Sequence, residues 1–395
     1  MQLVALYRKF AWRAWLIAAS ILSIPLLSLP LQAANVDIGI TSREIIMSGL
    51  NAPRGITIGP DGGIYVAEAG SSFDTTDAQH IQVRGVDFYY GETGSVSRFL
   101  GGVQSTLFSA LPTLYAPSNL EAMGPSHLVF SSNGDAYITI GMGLDVVDRT
   151  GSFTKLGNVV RIPFGSTSAL LFADIAQYEL DHNPAGDDVH SNPFRIAAAG
   201  GDGFYVMDAG ANALLNVSSS GVISTHTIFP VADNGQQSVP TALAVSGDGK
   251  IYVGELTGFP FTHGDARIFS IEGEDIFTIG TGFTHIIDLA LASDGTLFVL
   301  EHNSDSLFNP EGFGSLYAFD PGTGARTLLA DDLVAPTGLA IDVSNILYVS
   351  NYGHGDGQGQ VLAFTYAAIP EPQTWAMLCL SALIVWRFRG RRQLA

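Results

Sequence analysis

One unit recurs six times along the middle of this chain, and that repeat limits the possible folds more than any other feature. Each copy has a Pro-containing opening, a strand, a Gly/Asp turn, and a second strand with a central aromatic. An early copy reads Pro53-Arg54-Gly55-Ile56-Thr57-Ile58-Gly59-Pro60-Asp61-Gly62-Gly63-Ile64-Tyr65-Val66. A later one reads Pro240-Thr241-Ala242-Leu243-Ala244-Val245-Ser246-Gly247-Asp248-Gly249-Lys250-Ile251-Tyr252-Val253. The aromatics fall at Tyr65, Tyr137, Tyr205, Tyr252, Phe298 and Tyr348, separated by 72, 68, 47, 46 and 50 residues. The last three spacings fit one four-stranded blade per repeat of roughly 40–50 residues. The two long spacings carry insertions, chiefly 71–92, 142–156 and 174–191. Asn-Gly and Asp-Gly turns supply the positive φ that tight hairpins need.

A third strand of alternating character follows in each repeat, at 95–99, 159–162, 213–217, 267–271, 315–319 and 360–364. A fourth, outer strand follows in the first five, for example 222–229 and 325–329. The sixth repeat lacks one, because the propeller sequence ends near Phe364. An orphan strand from Glu44 to Ser48 precedes the first repeat and has the right length to complete the sixth blade. Closure of that kind removes an exposed sheet edge. The expected fold is therefore an all-β, six-bladed β-propeller of four-stranded blades over 35–368, closed by the strand from Glu44 to Ser48.

With 47% hydrophobic and 14% charged residues, disorder is excluded for most of the chain. The net charge of -19 is unevenly placed: 35–368 holds 11 basic and 36 acidic residues, a net of -25. Such a body repels phosphate backbones, which argues against nucleic acid as a partner. The surplus of acids suits divalent cations or plain solubility. Cys379 is the only cysteine, so there is no disulfide and no cysteine-based zinc site.

Both ends carry address-like segments. Arg8, Lys9 and Arg13 precede an apolar run from about Ala14 to Leu31 and the stretch Leu31-Gln32-Ala33-Ala34. This is the layout of a secretory signal peptide over 1–34; an uncleaved anchor helix is the alternative. At the other end, Ile369-Pro370-Glu371-Pro372 leads into an apolar stretch from Trp375 to Trp386, then Arg387, Arg389, Arg391 and Arg392. The tail, 369–395, resembles the PEP-CTERM sorting signal, with Pro370, Glu371 and Pro372 as its motif. That resemblance implies a protein exported across the inner membrane to the periplasm or cell surface. It also implies transient anchoring by the C-terminal helix and an exosortase-type processing enzyme as partner. A plain membrane anchor is the alternative.

Several phrases lie outside the generic blade pattern: Gly254-Glu255-Leu256-Thr257-Gly258-Phe259-Pro260-Phe261, Asp208-Ala209-Gly210-Ala211-Asn212-Ala213-Leu214-Leu215, Tyr178-Glu179 through Ser191-Asn192-Pro193-Phe194, and Thr93-Gly94-Ser95-Val96-Ser97-Arg98. Through them the repeats resemble NHL-type propellers and, more narrowly, the ScyD/ScyE family of exported bacterial proteins. The resemblance covers nearly all of 45–366 and implies fold and export more than a reaction. Relatives would carry cysteines in the segment equivalent to 71–92, and none stands there here.

Two sets of equivalent positions bear on chemistry. The residue three after each aromatic is Glu68, Ile140, Asp208, Glu255, Glu301 or Asn351, expected around one rim of the central channel. The residue ten before is Gly55, His127, Arg195, Ala242, Asp288 or Gly338. Crowded carboxylates need a cation or Arg beside them, and oxygen-rich clusters suit Ca²⁺. Three readings fit Glu68, Asp208, Glu255, Glu301 and Asn351: structural acids, a structural Ca²⁺ site, or a catalytic metal with His127 as base. Arg195, Asp288, Phe259 and Phe261 are expected to line a ligand rim, with His263 beside an apolar lip for an aromatic ligand. His80, Tyr89 and Tyr90, and Asp181, His182, Asp187, Asp188 and His190, are candidates for a lid.

Two functions remain open at the level of sequence. One is a ligand-, partner- or scaffold-binding propeller of the cell envelope, linked to pigment or exopolymer assembly, whose partner is a small molecule or an envelope component. The other is a metal-dependent extracytoplasmic enzyme, a lactonase- or esterase-like hydrolase or an oxidative catalyst on an aromatic metabolite.

Overall fold

Each repeat folds as its turn chemistry and apolar runs dictate. In the first, Asp61 Oδ1 accepts from the Gly63 amide at 2.9 Å while its Oδ2 accepts from the Tyr65 hydroxyl at 2.8 Å. In the last, Asp342 does the same for Ile346 and Tyr348, at 2.9 Å each. The turn aspartate thus closes the hairpin and receives the hydroxyl of the next strand's tyrosine, which explains why the two residue types recur together. Second strands such as Ile251–Glu255 and Leu297–Glu301 are buried along their whole length, because a blade is covered on both faces.

The computed structural model describes residues 37–369, apart from 84, 119, 120, 202, 233, 274 and 310. The expected signal segment 1–34 and the sorting motif Pro370, Glu371 and Pro372 lie outside the described residues. Among the described residues no helix is long and apolar enough to cross a membrane.

Five sheets have four antiparallel strands, and the sheet of the first repeat has six. The inner strands are Pro53–Ile58, Pro125–Phe130, Pro193–Ala198, Pro240–Val245, Ile286–Leu291 and Gly338–Ile341. Each packs on the next, and the last packs on the first, so the ring is closed. A Cβ at Gly338 would overlap the Arg54 carbonyl oxygen and crowd the Gly55 Cα, so the joint between blades six and one requires glycine. The expected closing strand is present and longer than foreseen: Asp37–Leu50 lies outermost in blade six, beside Gly359–Ile369.

The core lies between neighbouring blades. Blades five and six, for example, enclose Phe298, Leu300, Leu316, Leu347, Val349, Leu362 and Phe364. Each such side chain contributes about 1.5–3 kcal/mol by leaving water. Hydroxyls bind blade to blade: Thr57 donates to Leu128 O at 2.5 Å, Thr241 to Ile286 O at 2.6 Å, and Thr337 to Pro53 O at 2.6 Å.

The insertions differ from a pure β texture. Segment 71–92 builds a hairpin, His80–Val83 pairing with Val86–Leu100. Segment 142–156 holds two short 3₁₀ turns, Val146–Asp148 and Gly151–Lys155. Segment 174–191 contains a helix that the all-β expectation missed, Ile175–His182. Asp174 caps it by accepting from the Gln177 amide at 3.0 Å, and Asn183 ends it in the left-handed region.

Candidate functional site

The two sets of equivalent positions part company. At the ends of the second strands, Glu68 Oε2 accepts from the Asn51 amide at 2.6 Å, and its Oε1 from Ser95 and Ser97. Asp208 accepts from the Ser191 hydroxyl and the Asn192, Gly210 and Ala211 amides. Glu255 pairs with Arg267 and accepts from Ser238 at 2.7 Å. Glu301 accepts from the Thr284 amide at 2.7 Å and the Ser304 hydroxyl at 2.6 Å. Asn351 Oδ1 accepts from the Val334 amide at 2.8 Å. Each side chain fixes the loop that leads into its own blade.

These five residues do not form the expected cation ring. Every carboxylate oxygen among them, and the Asn351 carbonyl, already has a donor, so the set does not fit Ca²⁺. Among the described residues no group of three or more His, Cys, Asp and Glu side chains stands together to hold a metal ion. Burial pushes the Asp208, Glu255 and Glu301 carboxyls up, with their donors pulling the other way.

The set on the inner strands does converge. In five blades the first-to-second strand register shifts at this position, for example between Pro193 and Arg195 and between Ile286 and Asp288. Such a bulge re-aims a side chain. Arg195 of blade three reaches past Ala242 of blade four to a salt bridge with Asp288 of blade five. Asp288 also accepts from the Leu289 and Leu339 amides, each at 2.7 Å, and so ties in blade six. Burial pushes its carboxyl up to about 6, opposed by Arg195 and those amides, which leaves it ionised at neutral pH. The pair is buried and closes the axis rather than lining an open rim.

His127 completes this plug. Its ring lies against Gly55, where a Cβ would overlap it. Its Nε2 is 3.3 Å from Ile56 O and from the Thr57 hydroxyl. Burial and then the Arg195 charge hold it well below the ordinary imidazole range. At 6% exposure His127 offers no contact to a substrate, and the role of base does not fit it.

The accessible chemistry sits where the blade loops meet the mouth, and it includes residues that the repeat pattern did not flag. Arg54 donates to the carbonyls of Gly353 at 2.6 Å and Ala122 at 2.8 Å, linking blade six to two strands of blade one. His302 and His354 stand edge to face with centroids 5.5 Å apart. His302 Nδ1 lies 2.8 Å from Pro336 O. A carbonyl only accepts, so Nδ1 carries the proton and Nε2 keeps its lone pair. Burial, with Arg54 and His285 adding to it, pushes His302 down to about 4. Burial, then His302 and Arg54, also lowers His354, although one side of that ring meets water. Both imidazoles are neutral at pH 7.

Beside them rises an aromatic lip. Phe259 and Phe261 make the expected pair, centroids 6.2 Å apart, and Phe308 of the next blade joins them at 6.4 and 5.6 Å. Phe259 is 76% and Phe308 67% exposed, a costly placement for rings that could be buried. His285 stands behind Phe261 at 6.3 Å, with its two ring nitrogens on Asn303 O and Phe261 O. The His302 amide donates to the His285 carbonyl at 2.9 Å, so the support of the lip adjoins the imidazoles. His302, His354 and Phe308 sit in loops between the second and third strands of blades five and six, where the only signal was composition.

Of the suggested lid groups, His80, Tyr89, Tyr90, Asp181, His182 and His190 are engaged locally. His80 stacks on Tyr89, Tyr90 donates to Glu92, His182 stacks on Tyr178, and His190 pairs with Asp145 at 3.1 Å. Asp181 accepts from Gln177 one turn earlier.

The sequence matches no family model and no curated protein. Solved structures share the architecture. A gluconolactonase from Xanthomonas campestris is 10% identical over 83% of this chain and 95% of its own, with a TM-score of 0.51. A PQQ-bound aldose sugar dehydrogenase from Streptomyces coelicolor is 13% identical over 84% of this chain and 98% of its own, with a TM-score of 0.50. At such identities the likeness concerns the fold, and in fold this chain is a six-bladed β-propeller.

Proposed function

We propose that this protein is an exported cell-envelope propeller that binds a planar aromatic ligand at its mouth and does no chemistry on it. The three-ring lip of Phe259, Phe261 and Phe308 carries this reading. Exposed rings in an edge-to-face cluster offer a flat ligand large apolar contact at little ordering cost. The neutral His302, with its free Nε2, accepts a hydrogen bond from a hydroxyl on that ligand. The plug of Arg195, Asp288 and His127 ends the mouth a short way down, so the ligand rests on the rim. Export and processing by an exosortase-type enzyme follow from the terminal segments. A link to pigment or exopolymer assembly follows from the ScyD/ScyE resemblance.

Titration calorimetry with a panel of hydroxylated planar aromatics tests this. The double variant Phe259→Ala, Phe308→Ala is expected to lose at least about tenfold in affinity, or about 1.4 kcal/mol. Its melting temperature should stay within about 2 °C of the parent, because both rings are exposed. Unchanged affinity in the double variant, or a panel without a single binder, would overturn the reading.

The His302 lone pair favours one second reading, a lactone- or ester-type hydrolase with His302 as general base. The Ca²⁺-dependent form of that reading has no support from Glu68, Asp208, Glu255, Glu301 and Asn351, whose oxygens are all engaged. Turnover of aryl esters or lactones that disappears in His302→Gln would establish it.

A further inference from the structure

The insertion 174–191 places uncompensated negative charge inside the protein. The helix Ile175–His182 turns Ile175, Ala176 and Glu179 inward, and Glu179 is 1% exposed. Its Oε1 is buried without a hydrogen-bond partner. Asp187, from the loop that follows, has a buried Oδ1 in the same condition. Its Oδ2 accepts from Asn212 of blade three and Gln237 of the loop into blade four, both at 3.3 Å. Asn183 fixes this loop by donating to the Asp187 carbonyl at 2.8 Å.

Neighbouring negative charge acts on Glu179. Burial first, then Asp208 and Asp187, push the Glu179 carboxyl up to about 7. Asp208 already has donors on both oxygens, so it contributes field rather than a free ligand atom. No basic side chain among the described residues pairs with Glu179 or Asp187: Arg149 is taken by Asp174 and His190 by Asp145. An unpaired buried carboxylate costs several kcal/mol, so two such orphaned oxygens on adjoining segments need either protons or a cation.

We propose that Glu179 and Asp187 hold a calcium-class divalent cation, which fastens the inserted helix to blades three and four. The two orphaned oxygens are hard ligands, and Ca²⁺ completes its shell from backbone carbonyls and water without a strict geometry. The site supplies two orphaned carboxylate oxygens, one from each residue, rather than three carboxylates. It is separate from the engaged acids at the strand ends.

The test uses the full chain after chelator treatment, titrated with Ca²⁺ by calorimetry and by thermal melting. One Ca²⁺ per chain is expected, with a melting temperature several degrees higher, and Glu179→Gln and Asp187→Asn should each abolish both effects. Binding should expel the Glu179 proton, so affinity should rise about tenfold per pH unit below pH 7 and level off above it. The proposal fails if Ca²⁺, Mg²⁺ and Mn²⁺ all leave heat and melting unchanged while Glu179→Gln melts higher than the parent, the mark of a shared proton. It fails equally if both variants still bind. Should Glu179→Gln not fold, Asp187→Asn and the pH dependence of the parent decide alone.

Discussion

The ends of the second strands and the starts of the inner strands, bulged in five blades, both supply six equivalent positions, and both gather buried charge. At the strand ends the side chain answers a loop group of its own blade. Glu68, Asp208, Glu301 and Asn351 accept from amides sixteen or seventeen residues earlier. At the bulges the residues change from blade to blade, from Gly to His to Arg to Ala to Asp to Gly, and the contacts run across the ring. Arg195 and Asp288 are 93 positions apart. A charged residue that recurs in four of the six blades serves its blade, and one that appears once serves the axis.

The largest test of that contrast removes one side of the axial pair. Asp288→Ala leaves a buried guanidinium without its anion and frees the Leu289 and Leu339 amides. A loss of about 3–5 kcal/mol is expected in urea unfolding. Arg195→Met combined with Asp288→Leu should recover most of it, since an apolar pair carries no desolvation cost. If the double variant is as unstable as the single one, the pair's charge is not what holds blades three, five and six together.

A smaller loss is expected at a strand end. Asn351→Ala orphans one amide, that of Val334, for about 1–3 kcal/mol. The damage should stay at the joint of blades five and six, read as faster amide exchange at the end of Arg326–Val334 and in the loops of blade six with blade three unchanged. Equal exchange rates all round the ring would erase the distinction between local and axial roles.

The blade count, the closing strand and the spacing of the aromatics were legible because a propeller repeats its core pattern and its turn chemistry. Pairs such as Asp61 with Tyr65 are local, and locality survives in a linear sequence. The rim set was legible as a set but not in its role, because a buried carboxylate satisfied by backbone amides and one awaiting a cation are the same letter. Nothing in the spacing showed that Glu301 would turn to Thr284. The mouth was the least legible part. His302, His354 and Phe308 lie in loops of different blades and occupy no repeated position, and Arg54 stands at a repeat position that carries no charge in the other blades. The helix at 175–182 was missed although Asp174 and Gln177 stood at cap spacing, since a strand-rich context outweighed one local signal.

The smallest expected effect concerns pH and again separates interior from turn. Burial raises Glu179 to about 7 and Asp288 to about 6, and pushes Asp208, Glu255 and Glu301 upward. Between the unfolded values of 4.5 or 3.8 and these raised ones the native state holds more protons than the unfolded chain, so stability falls as pH rises through that range. The turn acids behave oppositely. The Thr323 hydroxyl and the Gly322 amide lower Asp320; at Asp61 burial acts upward, but the Gly63 amide and the Tyr65 hydroxyl outweigh it. For these the unfolded chain holds more protons below 3.8, and stability falls as pH drops through that value. In chelator, which keeps any cation from masking Glu179, the melting temperature should therefore pass through a shallow maximum at about pH 4, between the acid-side fall through 3.8 and the fall that sets in above it. A melting temperature that climbs steadily from about pH 5 to 8 would mean that the buried carboxylates are stabilised as anions, and that their donors outweigh burial as they do in the turns.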